Sequence, residues 1–176
     1  MTYLDLGNDE TSSISPVWLW TAKNRPHIAF YSDDSDGGIP QYQHLRFDGK
    51  AWHHQFISQR TSAFSLMGGG TLQVPISRPE IVVDHTDNAY VIYRGDLTDN
   101  RMAITRLPAP DYPYIQDQTR IASEDELGYA EPIIVRSRWQ QDNILTMLLQ
   151  RNSQPTGDRT HVFLDTPVKL IDLNLK

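Results

Sequence analysis

Ile76-Ser77-Arg78-Pro79-Glu80-Ile81-Val82-Val83-Asp84, continued by Asn88-Ala89-Tyr90-Val91-Ile92-Tyr93-Arg94-Gly95-Asp96, sets how the whole chain reads. Pro79 suits the first residue of a strand because it lacks the N–H that a ladder needs, and Glu80 to Val83 reads as a short buried strand. Thr86-Asp87-Asn88 turns the chain, and Tyr90 to Tyr93 is a second β-branched and aromatic run, so the stretch is one hairpin. The layout recurs as Ser15-Pro16-Val17-Trp18-Leu19-Trp20 with His27-Ile28-Ala29-Phe30-Tyr31. It recurs again as Glu131-Pro132-Ile133-Ile134-Val135 with Asn143-Ile144-Leu145-Thr146-Met147-Leu148.

Working outward, each hairpin opens a unit of four strand-like runs. The first, about 16–58, has Val17 to Ala22, His27 to Ser32, Gln41 to Phe47 and Ala51 to Ile57, with Asp48-Gly49 as a strong hairpin turn. The second, about 79–122, has Glu80 to Asp84, Ala89 to Arg94, Met102 to Leu107 and a poorer run near Tyr114 to Ile121. The third, about 132–176, has Ile133 to Arg138, Ile144 to Gln150, His161 to Leu164 and Val168 to Leu175. Tyr3 to Leu6 looks like the outer strand of a preceding unit. Pro16, Pro79 and Pro132 lie 63 and 53 positions apart, near the roughly 50-residue period of a four-stranded propeller blade. The expected fold is all-β: a β-propeller with about three four-stranded antiparallel blades in this chain, favoured over a β-sandwich because the units are tandem. Propellers close with four to eight blades, so further blades are expected from a longer chain or from another copy. Helix competes only at Ser123 to Leu127, where Ser123 and Glu126 have capping-box spacing.

The 176 residues are 39% hydrophobic and 22% charged, enough for a sizeable core in one domain. A net charge of −6 argues against a general grip on nucleic acid or anionic membrane, leaving an anionic partner to a local arginine cluster. No apolar run reaches the roughly 18 residues of a membrane span, and the N-terminus lacks the pattern of a secretory signal. The chain has no cysteine, which excludes disulfides and thiolate metal sites.

In a propeller the rim that carries function would hold Asp33 to Pro40, Ser58 to Ser77, Gly95 to Asn100, Ser123 to Glu131 and Arg151 to Arg159. The connection after Ser58 is far longer than an ordinary loop. Arg60 opens it and Arg78 closes it, and two guanidinium groups at one rim suit a carboxylate or sulfate; the alternative is pairing with an Asp or Glu of the adjoining unit. Tyr42 and His44 alternate along one strand and so share a face, where either could move a proton or serve packing. Gly68 to Gly70 lack the Lys-Ser/Thr and helix of a phosphate loop. His53 and His54 point to opposite faces and do not jointly hold a metal. Asp33, Asp34 and Asp36 beside Gly37-Gly38 read as a solvated turn before they read as a calcium site, so no cofactor is expected.

Asp48-Gly49-Lys50-Ala51-Trp52 resembles the tail of the Asp box of sialidase-like BNR repeats, with Arg46 for its Ser/Thr, no residue between Asp48 and Gly49, and Ala51 for its Thr. Ile76 to Ile81 and Gln41 to Gly49 are similar to segments of a BNR-repeat subgroup that includes ulvan-lyase-like polysaccharide lyases, matched to their later blades. The resemblance implies a seven-bladed propeller, secreted or periplasmic, cleaving an acidic and sulfated polysaccharide by β-elimination. It implies Tyr42 as acid or base and Arg60 as partner of the uronate carboxylate, with His44 and Arg78 as weaker matches. Screening that carboxylate is what acidifies the C5 hydrogen. The competing functions are a non-catalytic propeller that binds glycan or protein, and a sialidase-like hydrolase.

Overall fold

A computed structural model describes residues 17–20, 25–33, 38–65, 73–155, 157 and 164–175. It is β-rich, with three separate antiparallel sheets, none closed on itself. The first sheet holds β1 (Val17–Trp20), β2 (Pro26–Asp33), β3 (Pro40–Phe47) and β4 (Trp52–Phe56), in that order. The second holds β5 (Glu80–Val83), β6 (Ala89–Arg94), β7 (Arg101–Leu107) and β8 (Thr119–Glu126) in the same simple order. The third is β9 (Ile133–Ile134), β10 (Ile144–Leu149) and β11 (Lys169–Asn174), with β10 in the middle. A helix, α1 (Arg136–Asp142), lies between β9 and β10.

Side-chain parity builds the stack. On β6, Ala89, Val91 and Tyr93 point into a core shared with Ala29, Tyr31 and Tyr42 of the first sheet. Tyr90 and Ile92, one residue out of phase, point into a second core with Leu145, Met147 and Leu149 of the third. Strand side chains alternate faces, so a continuous apolar run is what a sheet covered on both sides requires. At about 25 cal/mol per Å² of apolar surface removed from water, these two cores are the main stabilising term. A smaller cluster of Ile28, Phe30 and Leu45 sits on the other face of the first sheet.

Three expectations need correction. The run Ile133 to Arg138 is not one strand: β9 ends at Ile134 and the chain turns into α1. Trp139 drives this, donating its indole N–H to the Val83 carbonyl at 2.9 Å and packing edge-on to Tyr90. Asn143 then stops the helix in a left-handed conformation with φ 56°, a conformation that Asn tolerates. Second, Lys169–Asn174 pairs directly with β10, so the last strand holds the third place of its sheet rather than the fourth; residues 161–163 of the expected third strand lie outside the described residues. Third, β8 begins at Thr119, not near Tyr114, and contains Ser123 to Glu126. The segment before it is drawn to the first sheet, where the Tyr114 N–H donates to Gln55 Oε1 at 3.2 Å. Pro79 and Pro132 each immediately precede a first strand, as expected; Pro16 and residues 3–6 lie outside the described residues.

Candidate functional site

The end of the stack where Pro40, Arg60 and Asp96 come together carries Tyr42, Arg60 and Arg78, three of the four residues singled out from the sequence. Tyr42 sits in β3 at 1% exposure, its hydroxyl bonded to the carbonyls of Ser77 at 2.8 Å and Arg94 at 2.9 Å. Burial holds its pKa well above the usual phenol value, against smaller opposing effects of the Ser77 bond and the Arg94 charge. Arg60 is 3% exposed. Its Nε and Nη2 form a fork on the Asp96 carboxylate at 2.8 and 2.7 Å, Nη1 donates to Pro40 and Nη2 also to Ser62. Gln41 clamps the same residue, accepting from the Arg60 N–H at 2.9 Å and donating to its carbonyl at 2.8 Å. Tyr42 and Arg60 thus tie the first sheet to the second, the pairing alternative weighed for Arg60. Arg78 stands apart: its side chain is 63% exposed and lies 3.6 Å from Glu131, which also accepts the Arg78 backbone N–H at 2.7 Å.

Arg94 went unremarked in the sequence. It is 1% exposed and donates to the carbonyls of Ala130 and Pro75 and to Asn100 Oδ1. Its signal was position alone, a cation closing an otherwise apolar strand.

The opposite end of the stack carries two clefts. The larger, about 650 Å³, opens between the second and third sheets beside Leu175. Arg106 and Ile104 are two apart on β7, and Arg120 lies opposite Ile104 on β8, so both arginines share one face. Arg106 is half-buried, engages the Tyr90 hydroxyl and reaches Gln118 at 3.4 Å; among the described residues exposed Arg120 has no ion pair. Asp84 also lines this cleft, but its carboxylate accepts from Thr86, Asn88 and Tyr90. Burial pushes its pKa up, and those hydrogen bonds outweigh burial and bring it below the usual value. Asp117, exposed, is the other acid of the lining.

The second cleft, about 400 Å³, lies beside the β3–β4 turn and is lined by Arg25, His27, Arg46, Lys50 and Tyr112 among others. His44, the remaining sequence candidate, is fully buried behind it, 2.9 Å from His27 through the bond between His44 Nε2 and His27 Nδ1. Burial lowers the pKa of both rings, that of His27 to about 4. Tyr42 and His44 alternate along β3 yet serve different surroundings, one the join to the second sheet and the other the wall of this cleft. His53 is bonded to Asp48 and His54 to Gln43, on opposite faces as expected. Among the described residues no three His, Asp or Glu side chains gather as a metal site; Asp34 and Asp36 lie outside those residues.

The chain matches no family model and no curated protein.

Proposed function

We propose that this chain is a run of β-propeller blades that binds an acidic polysaccharide, with Arg106 and Arg120 taking its carboxylate or sulfate groups in the cleft between the second and third sheets. The propeller reading is supported by the two four-stranded sheets in simple up-and-down order, by their face-to-face stacking, and by the approach of β1 to β5, the two first strands. The observation that carries the binding reading is the pair of arginines on one face over apolar Ile104, one of them without a counter-ion among the described residues, in a space wide enough for a sugar unit. Guanidinium forks suit planar and tetrahedral oxyanions, and the apolar floor suits a sugar face.

Catalysis is the second reading. Arg78, exposed and loosely paired, is the group at the other end that could screen a uronate in a completed propeller. Tyr42 and His44, at 1% and 0% exposure, have no surface for a sugar in this arrangement. Binding without elimination is therefore the reading the geometry favours for the chain by itself.

Titration calorimetry with a sulfated polyuronate and with a neutral polymer of equal length tests this. The charged polymer should bind, less tightly as salt rises, and the R106A/R120A double variant should weaken it by at least about tenfold. Equal affinity of the double variant would refute the binding reading. An unsaturated product absorbing in the near ultraviolet would show that catalysis belongs to the chain after all.

A further inference from the structure

The second cleft contains a donor whose direction is set by a chain of hydrogen bonds. Gln55 begins it: its Oε1 accepts from the Tyr114 N–H at 3.2 Å and its Nε2 donates to the Tyr112 carbonyl at 2.6 Å. Reversing the amide would set oxygen against carbonyl and N–H against N–H, so these two backbone groups fix which end is which. The second Nε2 hydrogen then goes to His44 Nδ1 at 3.1 Å. His44 Nδ1 is therefore an acceptor, and an uncharged His44 carries its proton on Nε2, which donates to His27 Nδ1. The same step leaves the His27 proton on Nε2. His27 is 1% exposed, and among the described residues its Nε2 makes no hydrogen bond, while the ring forms part of the cleft wall.

Three cations and three acids surround that wall. The Arg46 guanidinium lies 5.1 Å from the centre of the Tyr112 ring and touches the Asp111 carbonyl only at 3.4 Å. Lys50 has no ion pair among the described residues, and Arg25 completes the cationic set. Three acids oppose them. Asp48 is saturated by the N–H groups of Lys50 and Ala51 and by His53; Asp111 is exposed; Asp87 acts on His27 through charge.

We infer that this cleft is an anion site separate from the arginine pair on the second sheet, taking one oxyanion group, a sulfate, phosphate or carboxylate, between Arg46, Lys50 and the Nε2–H of His27. Two cations supply charge, and an uncharged imidazole in a wall of low dielectric supplies a directed donor. The buried pair His27 and His44, costly as two polar rings in a core, thereby acquires a reason beyond packing. The site rests on groups independent of Arg106 and Arg120.

The test uses the whole chain labelled with ¹⁵N-histidine. Inorganic sulfate, inorganic phosphate and a sulfated disaccharide are titrated separately at neutral pH, with the His27 Nε2–H resonance as readout. A saturable shift of that resonance is expected, moved to at least about tenfold higher concentration by Lys50→Ala and by Arg46→Ala, and unchanged in R106A/R120A. Lys50 is exposed, so its variant separates lost binding from lost folding. Saturation by both inorganic ions assigns a general oxyanion site; saturation by the disaccharide alone assigns a sulfated sugar. No saturable shift with any of the three, a shift indifferent to Lys50→Ala, or a His27 proton found on Nδ1 would each overturn the inference.

Discussion

His27 and His44 make the folded state sensitive to acid. Burial lowers both pKa values, His27 to about 4, whereas the unfolded chain titrates near the ordinary value of 6.5. Below about pH 6.5 the unfolded state binds protons that the folded state refuses, so stability is complete above that value and falls as pH drops toward 4. For His27 alone the loss is about 3 kcal/mol. Urea midpoints at pH 7.5 and 4.5 should show it, and a variant lacking both imidazoles should show a flatter profile. Tyr42 makes the converse case. In Tyr42→Phe the Ser77 carbonyl loses a donor inside the core, which should cost about 1–2 kcal/mol in thermal unfolding while leaving anion binding unchanged. A change in binding with unchanged stability would instead give Tyr42 a place in a site.

Among the elements, the joins between sheets are more demanding than the sheets. Gly128 has φ +60°, and a Cβ there would sit on the Asn152 carbonyl oxygen, across the bridge linking the loop after β8 to the loop after β10. Gly128→Ala should therefore destabilise by at least about 1–2 kcal/mol, measured by chemical denaturation. A neutral result would mean that this bridge yields without cost. Helix α1 shows why joins are hard to read in a sequence. Residues 133–138 have strand-like composition at one end, and only the Trp139 bond to Val83, 56 residues away, and the close pairing of Arg136 with Glu80 select the helix. Likewise β8 starts late because Gln55 of another sheet holds Tyr114. Local runs such as β3, β6 and β7 were legible because β-branched and aromatic residues are bounded by turn residues.

Across the molecule, the second sheet is the keystone, buried on both faces by the two largest cores, whereas the third sheet turns Ile133 and Leu170 outward at 56% and 59% exposure. Amide exchange should accordingly be slowest in β6 and β7 and fastest in β11, an order that mass spectrometry of labelled peptides would read directly. Faster exchange in β6 than in β11 would mean that the sheets do not stack cooperatively. Charge follows the same division of labour. Arg60 and Arg94 are engaged in holding elements together, whereas Arg106, Arg120, Arg46 and Lys50 line clefts.

The sequence by itself determined the strands of the first two sheets apart from β8, their simple order and the turn at Asp48-Gly49, because period-two patterning and turn chemistry are properties of neighbouring residues. It also raised both roles for Arg60, a ligand partner or an inter-sheet tie, without choosing between them. Only the tertiary structure shows the ion pair that Arg60 makes, because Asp96 lies 36 residues on. It alone also placed α1, moved β8, and brought Gln55, His44, His27, Arg46 and Lys50 to one cleft. Burial and long-range hydrogen bonds exist only once the sheets have met, and no local pattern encodes which groups will then be left facing water.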